Sequence, residues 1–351
     1  MKTFLRLLFF CVFLALCAGA FIAYDAWRFM TTPPASPGEE QLFDVEAGAS
    51  VSKIAEQLER KGLITDARRF VFLARYKKWD AHLQSGRFQL HSGWLPEHIL
   101  DQLVNGQPVL YRVTLREGLA WWETAQILEQ AGFVLADDFR TVIFDPEFLR
   151  HYGIPFFNAE GFLYPDTYLL KKSEHLDLAA ARAVAARLVD TFWQKTAKLW
   201  PDGKRPSPPS LRRLIILASI VEKESAVPEE RPRIAGVFAK RLNINMPLQA
   251  DPTVIYGLGQ KFDGNLRRIH LDDPNNLYNT YKIPGLPPGP ICSPGLSALQ
   301  AALSPEEHNY LYFVAKGDGG HVFSTNLNDH NRAVRQWVQI QREQRQKEKT
   351  P

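Results

Sequence analysis

Cysteine is scarce in this 351-residue chain, which has three. Cys11 and Cys17 fall in an N-terminal apolar run, leaving Cys292 alone in the remainder. One thiol forms neither an intramolecular disulfide nor a Cys-based zinc site, so the body folds without staples in either redox compartment. A strong charge of one sign is also missing: 42 Lys and Arg against 38 Asp and Glu leave a net charge of +4. That argues against a nucleic-acid binder, which gathers its basic residues on one face, and leaves an acidic polymer open as substrate. His321 and His330 lack metal-ligand spacing and read as structural, so neither metal nor cofactor is expected.

What is present favours solid cores. Hydrophobic residues make up 45% of the chain, with 22 Phe and 8 Trp, and the length suffices for two or three compact units. Leu7 to Tyr24 is an 18-residue apolar or small stretch, LLFFCVFLALCAGAFIAY, about the minimum for a bilayer-spanning helix. Lys2 and Arg6 precede it, a basic flank that keeps the N-terminus cytoplasmic and exports the body. Ala18-Gly19-Ala20 resembles a signal-peptide cleavage site, but the run continues through Phe21 and Ile22, so an anchor is the favoured reading. Lipidation at Cys17 fails because Leu16 precedes it.

Beyond the Pro-rich stretch Thr31–Gly38 a degenerate pattern recurs. Phe43-x-Val45-x-x-Gly48, Phe88-x-Leu90-x-x-Gly93 and Val113-x-Leu115-x-x-Gly118 each read as strand and turn, followed by a 3.6-period helix. Gly62, Gly106 and Gly132 are the expected C-terminal caps. The first copy, VEAGASVSKIAEQL, resembles the LysM glycan-binding module; plain strand–turn–helix packing is the alternative. Further on, an aromatic-rich loop covers Glu160–Tyr168 and a helix is expected over Leu176–Trp193. Ser210 is placed to cap the next helix. Residues 257–294 read as a long irregular stretch, 311–315 and 321–324 as a hairpin, and the last segment from Asn328 as an amphipathic helix.

The segment Ser210–Ser225, SLRRLIILASIVEKES, carries the sharpest chemistry. At about 100° per residue, Leu214, Leu217, Ala218 and Val221 share one apolar face. Ser219 and Lys223 fall opposite, toward solvent. Glu222 projects at the polar border and Glu224 inside the apolar sector. Burial there disfavours the charged carboxylate, so Glu224 is expected to hold its proton near neutral pH and to serve as a general acid. A structural pairing of Glu224 with Arg231 or Arg233 is the alternative, which periodicity alone leaves open.

The run Ala218–Glu224 resembles the catalytic helix of the MltG (YceG-like) endolytic murein transglycosylases. Also similar are Glu160–Tyr168, Leu248–Gly257, Tyr278–Tyr281, Gly285–Ile291, and His321-Val322-Phe323 with Thr325-Asn326. Pro290 and Cys292 depart from the pattern, at loop positions. The resemblance implies that Glu224 protonates the leaving oxygen of the MurNAc–GlcNAc β-1,4 bond. As carboxylate it then takes the proton of the C6 hydroxyl that attacks C1 and closes a 1,6-anhydro ring. Because that attack is intramolecular, one carboxyl suffices where glycoside hydrolases usually need two. Gln249, Asp251, Thr253, Tyr256, Tyr278, Asn279, Tyr281 and Asn326 are the expected sugar contacts, with turn or capping roles as the alternative.

The expected fold class is α+β: a transmembrane helix, a LysM-like strand–turn–helix module, and a mixed α/β catalytic domain with a lysozyme-like catalytic helix. The expected divisions are a cytoplasmic N-terminus at 1–6, the transmembrane helix at 7–25, a linker at 26–41, the module at 42–108, the catalytic domain at 109–342 and a charged tail at 343–351. The implied location is the inner (cytoplasmic) membrane, single-pass, with the catalytic domain outside the cytoplasm. Peptidoglycan glycan strands are the implied partner, peptidoglycan synthases candidate protein partners. A non-catalytic wall-binding protein and a water-using muramidase are the competing readings, separated by product: anhydro ends, no cleavage, or reducing ends.

Overall fold

The computed structural model describes residues 2–348 except Ala47, Glu174, Pro201, Asp202, Ala226 and Asp318, with no side-chain description for 2–8, 11 and 343–348. Residues 349–351 of the expected tail and Asp318 of the expected hairpin turn thus lie outside the described residues. The fold is mixed α and β and divides into two compact units, residues 1–111 with 169–175, and residues 112–168 with 176–351.

The first unit opens with α1 (Lys2–Thr31), followed by β1 (Glu40–Val45), α2 (Val51–Arg60), α3 (Ala67–Tyr76), β2 (Gly86–His91) and α4 (Pro96–Val104). Ser50 and Asp66 cap α2 and α3, their side chains accepting from the Lys53 and Arg69 amides. β1 and β2 pair antiparallel with Phe43 opposite Phe88. Their inward faces meet Ile54, Leu58, Phe70, Ile99 and Leu103 in one core. α1 is apolar and long enough to cross a membrane over Val12–Thr31. It does not stop at Asp25: helix continues to Thr31, and Phe29 is buried in the core of this unit. Residues 26–41 are therefore no free linker. Ala35 N–H donates to Ser92 O (3.1 Å) and Glu39 N–H to Ser92 Oγ (2.8 Å), fastening the Pro-rich stretch along the end of β2.

The three pattern copies exist locally but do not form one array. β3 (Leu110–Thr114) pairs with β4 (Thr167–Lys171), and the division between the units falls inside both strands. Gly62 and Gly132 close their helices in the left-handed region (φ 68° and 73°), each with the next amide reaching back to the helix. Gly106 does not take that conformation, although its N–H still bonds back to Gln102 O.

The second unit continues with α5 (Trp121–Gln130), α6 (Ala136–Ile143), α7 (Pro146–Tyr152), α8 (Leu178–Thr196) and α9 (Pro208–Glu224). Then follow α10 (Arg231–Asn243), α11 (Asp251–Leu258), α12 (Arg268–Asp272) and α13 (Leu296–Leu303). It ends with the hairpin β5 (Tyr312–Ala315) and β6 (His321–Ser324), then α14 (Leu327–Glu348), whose backbone stays helical past the expected tail boundary at 343. Ser207 occupies the cap position of α9 and Ser210 lies inside its first turn. Pro208 and Pro209 lack the N–H groups a cap would satisfy and are pre-set for the helix start.

α9 is the central helix, packed against α10, α11 and α13. Leu211 and every residue from Leu214 to Val221 are buried, so the helix has no solvent stripe along that stretch, although Lys223 is exposed as expected. Ser219, expected toward solvent, is 0% exposed: its Oγ donates to Ile216 O (2.8 Å) and accepts from Ile291 N–H (3.0 Å). The amphipathic phase fails because the 287–293 loop covers the side that periodicity assigned to water. Gly161 (φ 84°) shows how tight that packing is, since a Cβ there would lie 2.5 Å from Ile215 Cγ2 and 2.8 Å from Pro290 Cγ. Gly161→Ala, combining overpacking with a strained φ, should destabilise by about 1–3 kcal/mol, read as a lower denaturation midpoint at unchanged m-value.

Candidate acid/base site

Glu224 is the last helical residue of α9, and Ser225 turns the chain into extended backbone (φ −124°, ψ 116°). Its side chain is partly exposed, and no described residue hydrogen-bonds its carboxyl. Burial pushes its pKa up to about 7; the negative charge of Asp251 acts in the same direction and Arg241 opposes it. Its position at the C-terminal end of a helix, where carbonyl dipoles disfavour an anion, adds to the effect.

Two groups frame this carboxyl. Asp251 opens α11, and Tyr281 OH donates to its Oδ1 (2.6 Å). Arg241 is buried and spends its N–H groups on backbone carbonyls, Leu311 O (2.7 Å) and Leu248 O (2.6 Å), so its charge reaches Glu224 through space only. Glu224 thus sits between a negative and a positive group, and neither locks it in one protonation state. That is what a group that must both give and take a proton requires.

Glu222 is a different carboxyl. Expected at a polar border, it is buried: Arg231 donates to Oε1 (2.8 Å) and Gly295 N–H to Oε2 (2.9 Å). Burial raises its pKa, the Gly295 amide and Arg231 lower it, and its hydrogen bonds tie α9 to the starts of α10 and α13. The structural partner of Arg231 is therefore Glu222, and Arg233 pairs with Glu306 (3.0 Å), so neither arginine takes Glu224.

Of the expected sugar contacts, Asp251 and Tyr281 stand beside Glu224, and Gln249 lies exposed just before α11. Tyr256 and Tyr278 pack together (ring centroids 4.8 Å), with Trp122 5.0 Å from Tyr256. The other three make hydrogen bonds within the protein. Thr253 is fully buried, bonded to Ala250 O and Thr280 Oγ1. Asn279 is fully buried and donates to His270, Leu271 and Asp273 carbonyls. Asn326 accepts from Asp329 N–H at the start of α14. Their short polar side chains satisfy local backbone groups that a loop-rich region leaves unpaired.

Glu160 was not singled out from sequence as a titratable group. It is 0% exposed; Trp121 N–H (2.9 Å) and Tyr256 OH (3.1 Å) donate to Oε2, while Oε1 is buried without a partner. Burial pushes its pKa up to about 8 against these two donors, so it holds a proton at neutral pH. A signal existed: Glu160 is the one charged residue between His151 and Asp166. Among the described residues no cluster of His, Cys, Asp and Glu could hold a metal ion.

A carboxyl of near-neutral pKa at the end of a buried helix is the kind of group that single-carboxyl acid/base chemistry uses. The chain belongs to the YceG-like family, whose pattern matches residues 43–336. It is 30% identical over 319 residues to the endolytic murein transglycosylase of Bacillus subtilis (strain 168), covering 86% of this chain and 85% of that protein. It is also 30% identical to the endolytic murein transglycosylase of Streptococcus pneumoniae R6, over 94% of this chain and 64% of that protein. Among solved structures, a putative YceG-like protein from Listeria monocytogenes superposes with TM-score 0.56 at 31% identity, over 84% of this chain and 98% of that one.

Proposed function

We propose that the chain is an endolytic murein transglycosylase, with Glu224 as its single acid/base. The observation that carries the assignment is a carboxyl without hydrogen-bond partners, titrating near pH 7 at the end of a buried helix. Protonated Glu224 gives its proton to the glycosidic oxygen as the C1–O bond breaks. Its carboxylate then accepts the C6 hydroxyl proton as that oxygen bonds to C1, which regenerates the acid and consumes no water. Asp251 and Tyr281 are placed to meet the sugar at this point, and Trp122, Tyr256 and Tyr278 offer ring faces for the strand. Mass spectrometry of digested sacculi tests the reading: 1,6-anhydro ends are expected, reducing ends would make the protein a hydrolase, and intact strands a binder.

The first unit reads as a LysM-like glycan-guiding module. A hollow of about 280 Å³ floored by the buried Phe43 and lined by Asp44, Gln57, Arg60 and Lys61 offers polar groups of the kind sugars need. α1 reads as a single-pass inner-membrane anchor with both units outside the cytoplasm, supported by its apolar length and basic flank.

The pH dependence follows from the Glu224 carboxyl. Above about pH 7 the protonated fraction falls tenfold per unit, so kcat/KM should decline along an alkaline limb centred there. Asp251 holds that pKa up; Asp251→Asn removes the negative charge, eases ionisation of Glu224, and should move the limb to lower pH. An alkaline limb unmoved by that substitution would detach Asp251 from the site.

A further inference from the structure

We infer that the exposed face of α3 is a lipid-headgroup contact that seats the first unit on the surface of the membrane its own α1 enters. The inference rests on the anchor reading above. Arg68, Phe72, Arg75 and Tyr76 follow the spacing of one helix face, and that face is turned outward. Phe72 is 72% and Tyr76 77% exposed, their rings stacked at 6.5 Å. Neither Arg68 nor Arg75 has an ion-pair partner among the described residues. Single exposed aromatics are ordinary on protein surfaces; two stacked rings between two unpaired arginines make a basic-aromatic face of the kind that lies in a bilayer interface.

The position of α3 names the occupant. Asp25, the first charged residue after the apolar run, is ion-paired with Arg69, three residues before Phe72 and therefore less than one turn away. Tyr24 and Trp27 of α1, exposed with ring centroids 6.0 Å apart, are the aromatic pair expected where a helix leaves the hydrocarbon. Phe29 and Met30 pack into the core of the unit, so no flexible segment separates the end of the span from α3. Arg28, exposed and also without an ion-pair partner, adds a further positive charge at this level. The partner with matching chemistry is an anionic phospholipid surface. Phe72 and Tyr76 enter the headgroup layer, and Arg68 and Arg75 meet phosphates.

The test uses the full chain, with its three cysteines replaced by serine, reconstituted in vesicles of phosphatidylethanolamine and phosphatidylglycerol. An environment-sensitive fluorophore is placed through Phe72→Cys, Tyr76→Cys or, on α2, Glu56→Cys. Labels at 72 and 76 should be quenched by brominated acyl chains and shielded from aqueous iodide, with the label at 56 open to iodide. Replacing phosphatidylglycerol by phosphatidylcholine, or Arg68 and Arg75 by glutamine, should weaken docking by roughly thirtyfold, the scale of two basic residues near an anionic surface. Iodide access at 72 and 76 equal to that at 56, without acyl-chain quenching, overturns the inference. So does shielding from iodide without acyl-chain quenching, which would mean a protein contact. Carbonate extraction is scored separately: a chain released by carbonate refutes the anchor itself, whereas a retained chain with an open α3 refutes only the docking.

Discussion

Glu224→Gln should abolish anhydro-product formation, with a fall of roughly 10²–10⁴-fold or more, while the protein stays folded. Glutamine keeps the shape of the side chain but has no proton to deliver and no carboxylate to receive one. Neither of the other two buried carboxyls can take over, because Glu222 is occupied by Arg231 and Gly295, and Glu160 is sealed from solvent. The same substitution should raise stability in alkali. The ordinary pKa of 4.5 becomes about 7 in the folded state, so the unfolded chain releases this proton first as pH rises. Wild-type stability is unaffected by Glu224 below about pH 4.5, falls as pH rises between 4.5 and 7, and above 7 is lower by up to about 3 kcal/mol. Glu224→Gln escapes that loss. Denaturant midpoints at pH 4 and pH 8 should therefore coincide with wild type at the lower pH and exceed it at the higher. Full activity in the variant, or a stability gain that ignores pH, would remove Glu224 from the role.

Arg231→Ala should have the largest effect on stability, about 3–5 kcal/mol, because it strands the buried Glu222 carboxylate without its ion-pair partner. Glu222→Gln strands Arg231 in turn, softened by Glu117, whose Oε2 lies 3.6 Å from the same guanidinium. Both losses should appear in unfolding curves. Measured well below the melting transition, Glu222→Gln should retain a substantial fraction of its activity, with an alkaline limb still near pH 7. This separates the two carboxyls by kind of effect: removing Glu224 spares the fold and stops the reaction, while removing Glu222 loosens the fold. A Glu222 variant of undiminished stability would contradict the ion-pair geometry.

Helical phase puts Glu224 in the apolar sector, and the raised pKa that such a place predicts is found, while other parts of the same phase assignment fail. Helical periodicity assumes one continuous wet face; α9 has none from Leu214 to Val221, so the phase is right for Lys223 and wrong for Ser219 and Glu222. Local signals did better. The strand–turn–helix units, the left-handed glycines at 62 and 132, and the 312–324 hairpin depend on neighbours in sequence, and all were legible. Pairing was not. Nothing near residues 110–114 says that this strand joins 167–171 in place of the earlier copies. Loop polar residues were the least legible, since Asn279 and Thr253 look like ligands in sequence until their hydrogen-bond partners across the loop are known. Glu160 shows the converse: a lone charge in an apolar run is visible in sequence, but its depth is a tertiary fact.

The burial of Phe29 in the core of the first unit has a mechanical meaning. Most tethered extracytoplasmic units drift on a leash whose length sets their patrol volume. Here α1 and the unit it carries turn together, so a tilt or spin of the helix is a tilt or spin of the unit. Phe29→Ser, which removes the buried ring, would loosen that coupling and free the unit from the helix. With α1 as the anchor proposed above, the native joint keeps the unit at the level where the helix ends.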